Sequence, residues 1–399
     1  MKKSADVSRG SMLLVLTLWG VSAGVCLRAQ SSQSSQLTAN AELGQPNFTS
    51  STCDNPALSP SQQLCHPVGV AVNSANGLLF VADGDNNRGL IWPSAAGFTN
   101  GQPASVVLGQ PDFNIGRKCT GGTTASTICD PNAATFDANG NLWVADTDGD
   151  RIIRFSPPFT NGKPADMVIG QRDLTTSICG DDARTLCSPR DLAFDGSGNL
   201  WVVDSDNNRV LVFRAPLRNS EAATLVIGQP DLTSKHCNRG SSVPGPDTLC
   251  GPKGLAIDPS SGNLWVAEDD NSRVLEYNDP LHSGSTDIKA NLVYGEPDFS
   301  TVACNVDATG VCHPDRVTLG RFGQLIISDS DNNRLLVVNK PLSNTTANAV
   351  IGQPNFTSNT PTTTASGLAG PKGIKVDSSG NLYSTDEDNN RLLRYNKAE

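Results

Sequence analysis

NLWVVDSDNNR, residues Asn199–Arg209, reads as an apolar strand, an acidic turn and an arginine that opens the next strand. Six such units recur; the others end at Arg88 (NGLLFVADGDNNR), Arg151 (GNLWVADTDGDR), Arg273 (GNLWVAEDDNSR), Arg334 (GQLIISDSDNNR) and Arg391 (GNLYSTDEDNNR). Successive arginines lie 57 to 64 residues apart, too far for a solenoid rung and right for a blade of four strands. A second phrase follows each of the first five turns: VVLGQPDF (106–113), VIGQRDL (168–174), VIGQPDL (226–232), VYGEPDF (293–299) and VIGQPNF (350–356). The sixth unit stops at Tyr395-Asn396-Lys397 without it, whereas Thr38–Phe48, TANAELGQPNF, carries the phrase with no unit before it. The pattern predicts an all-β, six-bladed propeller whose N-terminal strand completes the last blade and removes the open sheet edges.

The composition fits that architecture. Gly 37 and Pro 25 punctuate short apolar runs, and no helix-length amphipathic segment interrupts the repeats. Lys2, Lys3 and Arg9 precede the apolar run Met12–Val25 and then small and polar residues, the layout of a secretory signal over 1–29. A flexible leader is expected over 30–37 and the propeller over 38–399, with no transmembrane segment after cleavage. Cleavage after Ala29 removes Cys26 and leaves ten cysteines, two in each of five loops, so the expected bridges are Cys53/Cys65, Cys119/Cys129, Cys179/Cys187, Cys237/Cys250 and Cys304/Cys312. These imply an oxidising compartment, periplasmic or extracellular. Removing Lys2, Lys3, Arg9, Arg28 and Asp6 takes the formal charge from −10 to −13. So acidic a chain repels phosphate backbones, which excludes nucleic acid as the expected partner.

In the third unit the strands are read as Leu192–Asp195, Leu200–Val203, Val210–Phe213 and Thr224–Ile227, with the first hairpin turning at Gly196–Asn199. Trp143, Trp201 and Trp265, with Phe80 and Tyr383 in their place elsewhere, are expected to pack between blades. Pro67, Pro131, Pro189, Pro252, Pro314 and Pro371 open the inner strands, each after a loop of about 15 to 20 residues, longer than ordinary connections. The sixth such loop, FTSNTPTTTASGLAG, has no cysteines and is expected to be the most mobile.

Pro252–Asp258 (PKGLAID) followed by Gly262–Asp270 (GNLWVAEDD) and Asn271-Ser272-Arg273 resembles the NHL repeat, and the six copies resemble an NHL propeller of the secreted bacterial type. The resemblance implies fold more than function. Such propellers serve as protein-binding and RNA-binding modules, extracytoplasmic sensor domains and, in one branch, a metal-dependent amidating lyase.

The acid pairs Asp83/Asp85, Asp146/Asp148, Asp204/Asp206, Glu268/Asp270, Asp329/Asp331 and Asp386/Asp388 begin like calcium loops but lack the glycine and glutamate that complete one. They are expected to bond turn backbone and the following arginine. His66 and His313, each in Cys-His-Pro, and His236 beside Cys237 form a candidate metal trio, zinc being the fitting ion. Loop packing is the expected alternative; no cofactor is predicted, and calcium and zinc are the candidate ions. Residues just after the opening prolines should line the channel mouth: Asn132, Arg190, Lys253, Asp315 with Arg316, and Lys372, a mixed-charge rim suited to a small anion or carbohydrate. No GxSxG, HExxH or phosphate-cradling glycine loop is present. The sequence therefore reads as a monomeric exported binding or scaffold module using its disulfide-loop face toward a protein, carbohydrate or small molecule. A metal-dependent lyase or lactone-type hydrolase on the same face, and a structural cell-envelope repeat, are the alternatives.

Overall fold

A computed structural model describes residues 36–114, 119 and 122–397; the expected signal at 1–29 and leader residues 30–35 lie outside them. Six four-stranded antiparallel sheets form the blades of a propeller. The first comprises Pro67–Val72, Leu79–Asp83, Arg88–Trp92 and Val106–Leu108, and the next four repeat this plan from Pro131, Pro189, Pro252 and Pro314. The sixth takes Pro371–Val376, Leu382–Asp386 and Arg391–Tyr395 from the C-terminal region, and Ala41–Leu43 pairs with Arg391–Tyr395 as its fourth strand. The strand order is therefore closed by the N-terminal phrase.

In the third blade the inner strand is Pro189–Phe194, beginning three residues and ending one residue earlier than the sequence reading places it. The register shifts between Pro189 and Asp191, and this bulge lets a proline without an amide hydrogen head a ladder. Asp195 falls in the hairpin turn, where its carboxylate accepts Ser197 and Asn199 amides and the Trp201 indole N–H at 3.1 Å. Six apolar clusters sit at the six blade interfaces. Trp143, Trp201, Trp265, Phe80 and Tyr383 each occupy a different one, and Ile326 is their counterpart in the sixth.

The repeated turn is explained residue by residue. Its first acid, Asp83, Asp146, Asp204, Glu268, Asp329 or Asp386, is fully buried and accepts the Nε–H of the following arginine at 2.6–2.7 Å. The other carboxylate oxygen accepts a loop amide: Cys65, Cys129, Cys187, Cys250, Cys312 or, in the sixth blade, Ala369, at 2.5–2.8 Å. The arginine's remaining donors reach two kinds of carbonyl. Arg209 Nη1 donates to Leu232, the end of the GQP phrase, and Nη2 to Asp182 and Thr185 in the cysteine loop. Burial pushes Asp146, Asp204 and Asp329 up to about 6, against the pull of arginine and amide donors. At neutral pH these pairs remain ionic.

The residue before each arginine links blade to blade. Asn87, Asp150, Asn208, Ser272, Asn333 and Asn390 are left-handed, with φ of 47–53°, a conformation Asn and Asp tolerate. Their side-chain oxygens accept the amide of the residue preceding the next blade's proline: Asp130, Ser188, Gly251, His313, Gly370 and His66, at 2.8–3.4 Å. The last of these, Asn390 to His66, joins blade six to blade one.

All five expected disulfides are present. They suit an oxidising environment outside the cytoplasm, and among the described residues no helix is long and apolar enough to cross a membrane. In four of these loops the residue after the first cysteine donates its amide to the carbonyl before the second, as Asn238 does to Leu249 at 3.0 Å. The sixth loop makes the same turn without cysteines: Thr362 donates to Leu368 at 3.1 Å, so Pro361 and Ala369 occupy the cysteine positions. Thr363 and Asn389 bond each other across it at 2.6 Å.

One buried acid has no such support. Both oxygens of Glu276 lack a hydrogen-bond partner, and burial alone raises its carboxyl to about 7 from an ordinary 4.5. Ile91, Val212 and Val337 hold the same strand position in three other blades. An acid whose folded pKa is raised costs nothing below the unfolded value and progressively destabilises as pH rises from about 4.5 to 7.

Three outcomes follow from this frame. Arg209→Met should cost about 3–5 kcal/mol in denaturant unfolding, because it leaves a buried carboxylate and four loop contacts unpaired. The pair Pro361→Cys/Ala369→Cys should oxidise to a sixth disulfide, detected by mass spectrometry, and add about 2 kcal/mol of stability. Glu276→Val should stabilise by about 1–3 kcal/mol at pH 8, with the gain shrinking by pH 4.5 in paired melting curves.

Candidate functional site

The residues following the six opening prolines converge, as their register requires, at the end of the channel that carries the disulfide loops. Val68, Asn132, Arg190, Lys253, Asp315 and Lys372 line a cup of about 150 Å3 together with His66, Gly84, Asp85, Asp130 and Glu387. Of the second group, the sequence reading places His66 in the metal trio and Asp85 in an acid pair, neither at the channel mouth, and does not single out Gly84, Asp130 or Glu387. His66 and Asp130 precede opening prolines and Gly84 and Glu387 follow buried acids, so aligning the repeats places them on the same rim.

Arg316 does not line this cup, contrary to the sequence expectation. The register shifts between Pro314 and Val317, and the consecutive residues Asp315 and Arg316 both turn into the channel at different depths. Arg316 crosses it as a floor, 3% exposed. Its Nη1 donates to Lys253 O at 2.8 Å and to an Asp315 carboxylate oxygen; its Nη2 donates to Asn132 Oδ1 at 2.5 Å and Arg190 O at 2.9 Å. Room for it exists because the other second residues after proline are Gly69, Ala133, Asp191, Gly254 and Gly373. At Gly254 a Cβ would come within 2.5 Å of Asp315 O, so backbone proximity itself demands glycine there.

Above the floor the charges are mostly paired. Lys372 Nζ lies 3.4 Å from Asp315 and 3.6 Å from Glu387, and Lys253 Nζ lies 3.5 Å from Asp269. Burial would raise Asp315, but Arg316, Lys372, Lys253 and Arg190 together hold its carboxyl well below the usual range. Asp315 in turn raises the Lys372 amine. Burial raises Asp130, with Asp148 and Asp85 adding to the effect and Arg190 opposing it. Arg190 is the exception among the mouth cations: among the described residues no carboxylate lies within ion-pair distance, and its buried Nε has no hydrogen-bond partner.

The candidate metal trio is not assembled. His66 faces Glu387 at 4.0 Å, His313 faces Asp269 at 3.2 Å, and His236 is exposed. Among the described residues every cluster of three possible ligands holds at most one histidine, and Cys65 and Cys312 beside His66 and His313 are consumed in disulfides. The acidic turns offer calcium little, since each first acid is committed to arginine while the second, such as Asp206 or Asp331, is exposed.

Comparison with known proteins adds the family evidence. Residues 64–91, 186–213 and 249–277 match the NHL repeat, covering the proline-led strand and acidic turn of blades one, three and four. The chain carries NHL repeats. Relatives of this NHL propeller include peptidyl-glycine alpha-amidating monooxygenase A of Xenopus laevis, 25% identical over 215 residues, 52% of this chain and 20% of that protein. Peptidyl-alpha-hydroxyglycine alpha-amidating lyase 2 of Drosophila melanogaster is 33% identical over 86 residues, 21% of this chain and 20% of the relative. The chain thus spans about a fifth of the length of these relatives. A solved structure assigned as a gluconolactonase superposes with a TM-score of 0.50 at 14% identity, over 90% of this chain and 94% of that one, a likeness of fold alone.

Proposed function

We propose that this NHL propeller is an exported, monomeric binding module that captures a small hydroxylated carboxylate, of the sugar-acid type, in the cup on its disulfide-loop face. The observation that carries this reading is Arg190, which among the described residues has no carboxylate within ion-pair distance, in a cup built from all six blades. A planar guanidinium pairs a carboxylate through two parallel N–H donors. Asp130, Asp85 and Asn132 stand on the same lining as acceptors for hydroxyl groups. A volume of about 150 Å3 is that of a cavity able to hold a benzene-sized molecule, which limits the captured part to a few carbons. The loops leading into the rim differ in sequence from blade to blade while the frame repeats, so selectivity resides where it leaves the fold undisturbed.

The enzymatic alternative draws on the relatives named as amidating proteins. The dispersed positions of His66, His236 and His313 favour binding over a trihistidine metal reaction.

Calorimetric titration with gluconate and glycerate, against glucose as the uncharged control, tests the reading. Both carboxylates should bind and glucose should not, and Arg190→Ala should weaken the carboxylates at least tenfold, about 1.4 kcal/mol. Equal binding of glucose, or undiminished binding by Arg190→Ala, would sink it.

A further inference from the structure

Beneath the Arg316 floor the channel widens into a chamber of about 800 Å3 that opens at the opposite face, among the hairpin turns near Ser260 and Phe322. Its width has a cause in the sequence. The fourth residue after each opening proline is Ala71, Thr135, Ala193, Ala256, Thr318 or Lys375, so five small side chains stand at the level of one long one. A pattern that repeats in every blade builds the frame; a single departure into an enlarged cavity calls for a separate explanation.

Lys375 lines this chamber, and its amine forms no hydrogen bond or ion pair with any described residue. Burial draws the amine below its ordinary range, and Asp191 pushes back. Asp191 is already engaged: it accepts the Leu192 and Leu255 amides at 2.8 Å and lies 3.7 Å from Arg316 Nε. The hydroxyls of Thr135 and Thr318 also line the chamber without a partner among the described residues. Phe136, Phe194 and Leu255 supply apolar surface. A cavity of several hundred Å3 whose lining combines polar and charged groups with apolar side chains can take an amphipathic small molecule.

We propose that this chamber is a second ligand site, independent of the cup, which takes an amphipathic organic carboxylate. The carboxylate pairs with the Lys375 amine and accepts from the Thr318 hydroxyl on the neighbouring blade; the apolar body lies against Phe136, Phe194 and Leu255. A neutral ligand would bury the ammonium without a counter-charge, and a cation would oppose it. The site does not depend on the function proposed for the cup, because Arg316 and its carbonyl contacts close the channel between them.

The test is calorimetric titration of the full mature protein with 4-phenylbutyrate and decanoate, and with their methyl esters. The acids should bind the wild type and Arg190→Ala equally well. The esters, and the acids on Lys375→Met, should bind at least tenfold more weakly. Ala193→Leu, which keeps the amine but narrows the chamber beside Phe194, should weaken binding while retaining a cooperative melt, so the two variants do not share one mode of failure. The proposal is overturned if neither acid binds the wild type or if Lys375→Met binds as the wild type does. It is equally overturned if Arg190→Ala abolishes binding, which would place these acids in the cup.

Discussion

An arginine buried between one carboxylate and the carbonyls of two different loops is the contact on which each blade depends. Arginine suits the position because its guanidinium stays charged and carries five donors in a rigid fork, whereas lysine offers a single mobile point charge. Nε meets the acid, Nη1 holds the end of the GQP phrase and Nη2 holds the disulfide loop, so one side chain fixes three segments far apart in sequence. Variation within the repeat shows what is dispensable. Glu268 replaces aspartate and keeps the contact at 2.6 Å. Gly149 stands where the other blades place an asparagine that bonds the acid, and Arg151 still pairs with Asp146. The GQP glutamine adds a further tie, as Gln171 does to the Asp150 and Ile178 carbonyls.

Ring closure reuses these contacts. Arg391, at the C-terminal end, donates Nη1 to Phe48 O in the N-terminal phrase at 2.9 Å, and Asn390 reaches His66 in the first blade. The termini are therefore joined by the same bonds that hold any other unit together, so the chain needs no special clasp. A sheet ring closed this way leaves a channel whose two ends can diverge. Asp315 and Arg316, adjacent on one bulged strand, mark that divergence: Asp315 organises the cations of a polar cup, while Arg316 closes it off from a wider chamber of mixed polar and apolar lining.

What the sequence made legible was whatever repeats. Blade count, the N-terminal closing strand, the cysteine pairs and the interface aromatics all follow from alignment of the units, and so do the cup positions after each proline. What it concealed depends on depth. Arg316 reads as a neighbour of Asp315, and only the bulge at Pro314 shows that the two sit at different levels. The histidines look alike because two share Cys-His-Pro, yet blade geometry points His66 to Glu387 and His313 to Asp269. Lys375 was within reach of the sequence: comparing the fourth residue after each proline across blades isolates it, whereas reading along the chain does not. In a repeat protein the frame lies in what the copies share and the candidate sites lie where one copy departs.

The most direct test of the buried pair is residue-resolved amide hydrogen exchange on the disulfide-intact protein. The amides that donate to the buried acids belong to Cys65, Cys129, Cys187, Cys250, Cys312 and Ala369. If the carboxylate–arginine pair holds the loops, Ala369, whose loop has no disulfide, will exchange as slowly as its five cysteine counterparts. Fast exchange at Ala369 beside protected cysteines would show that the covalent bridges hold the loops and would contradict the account.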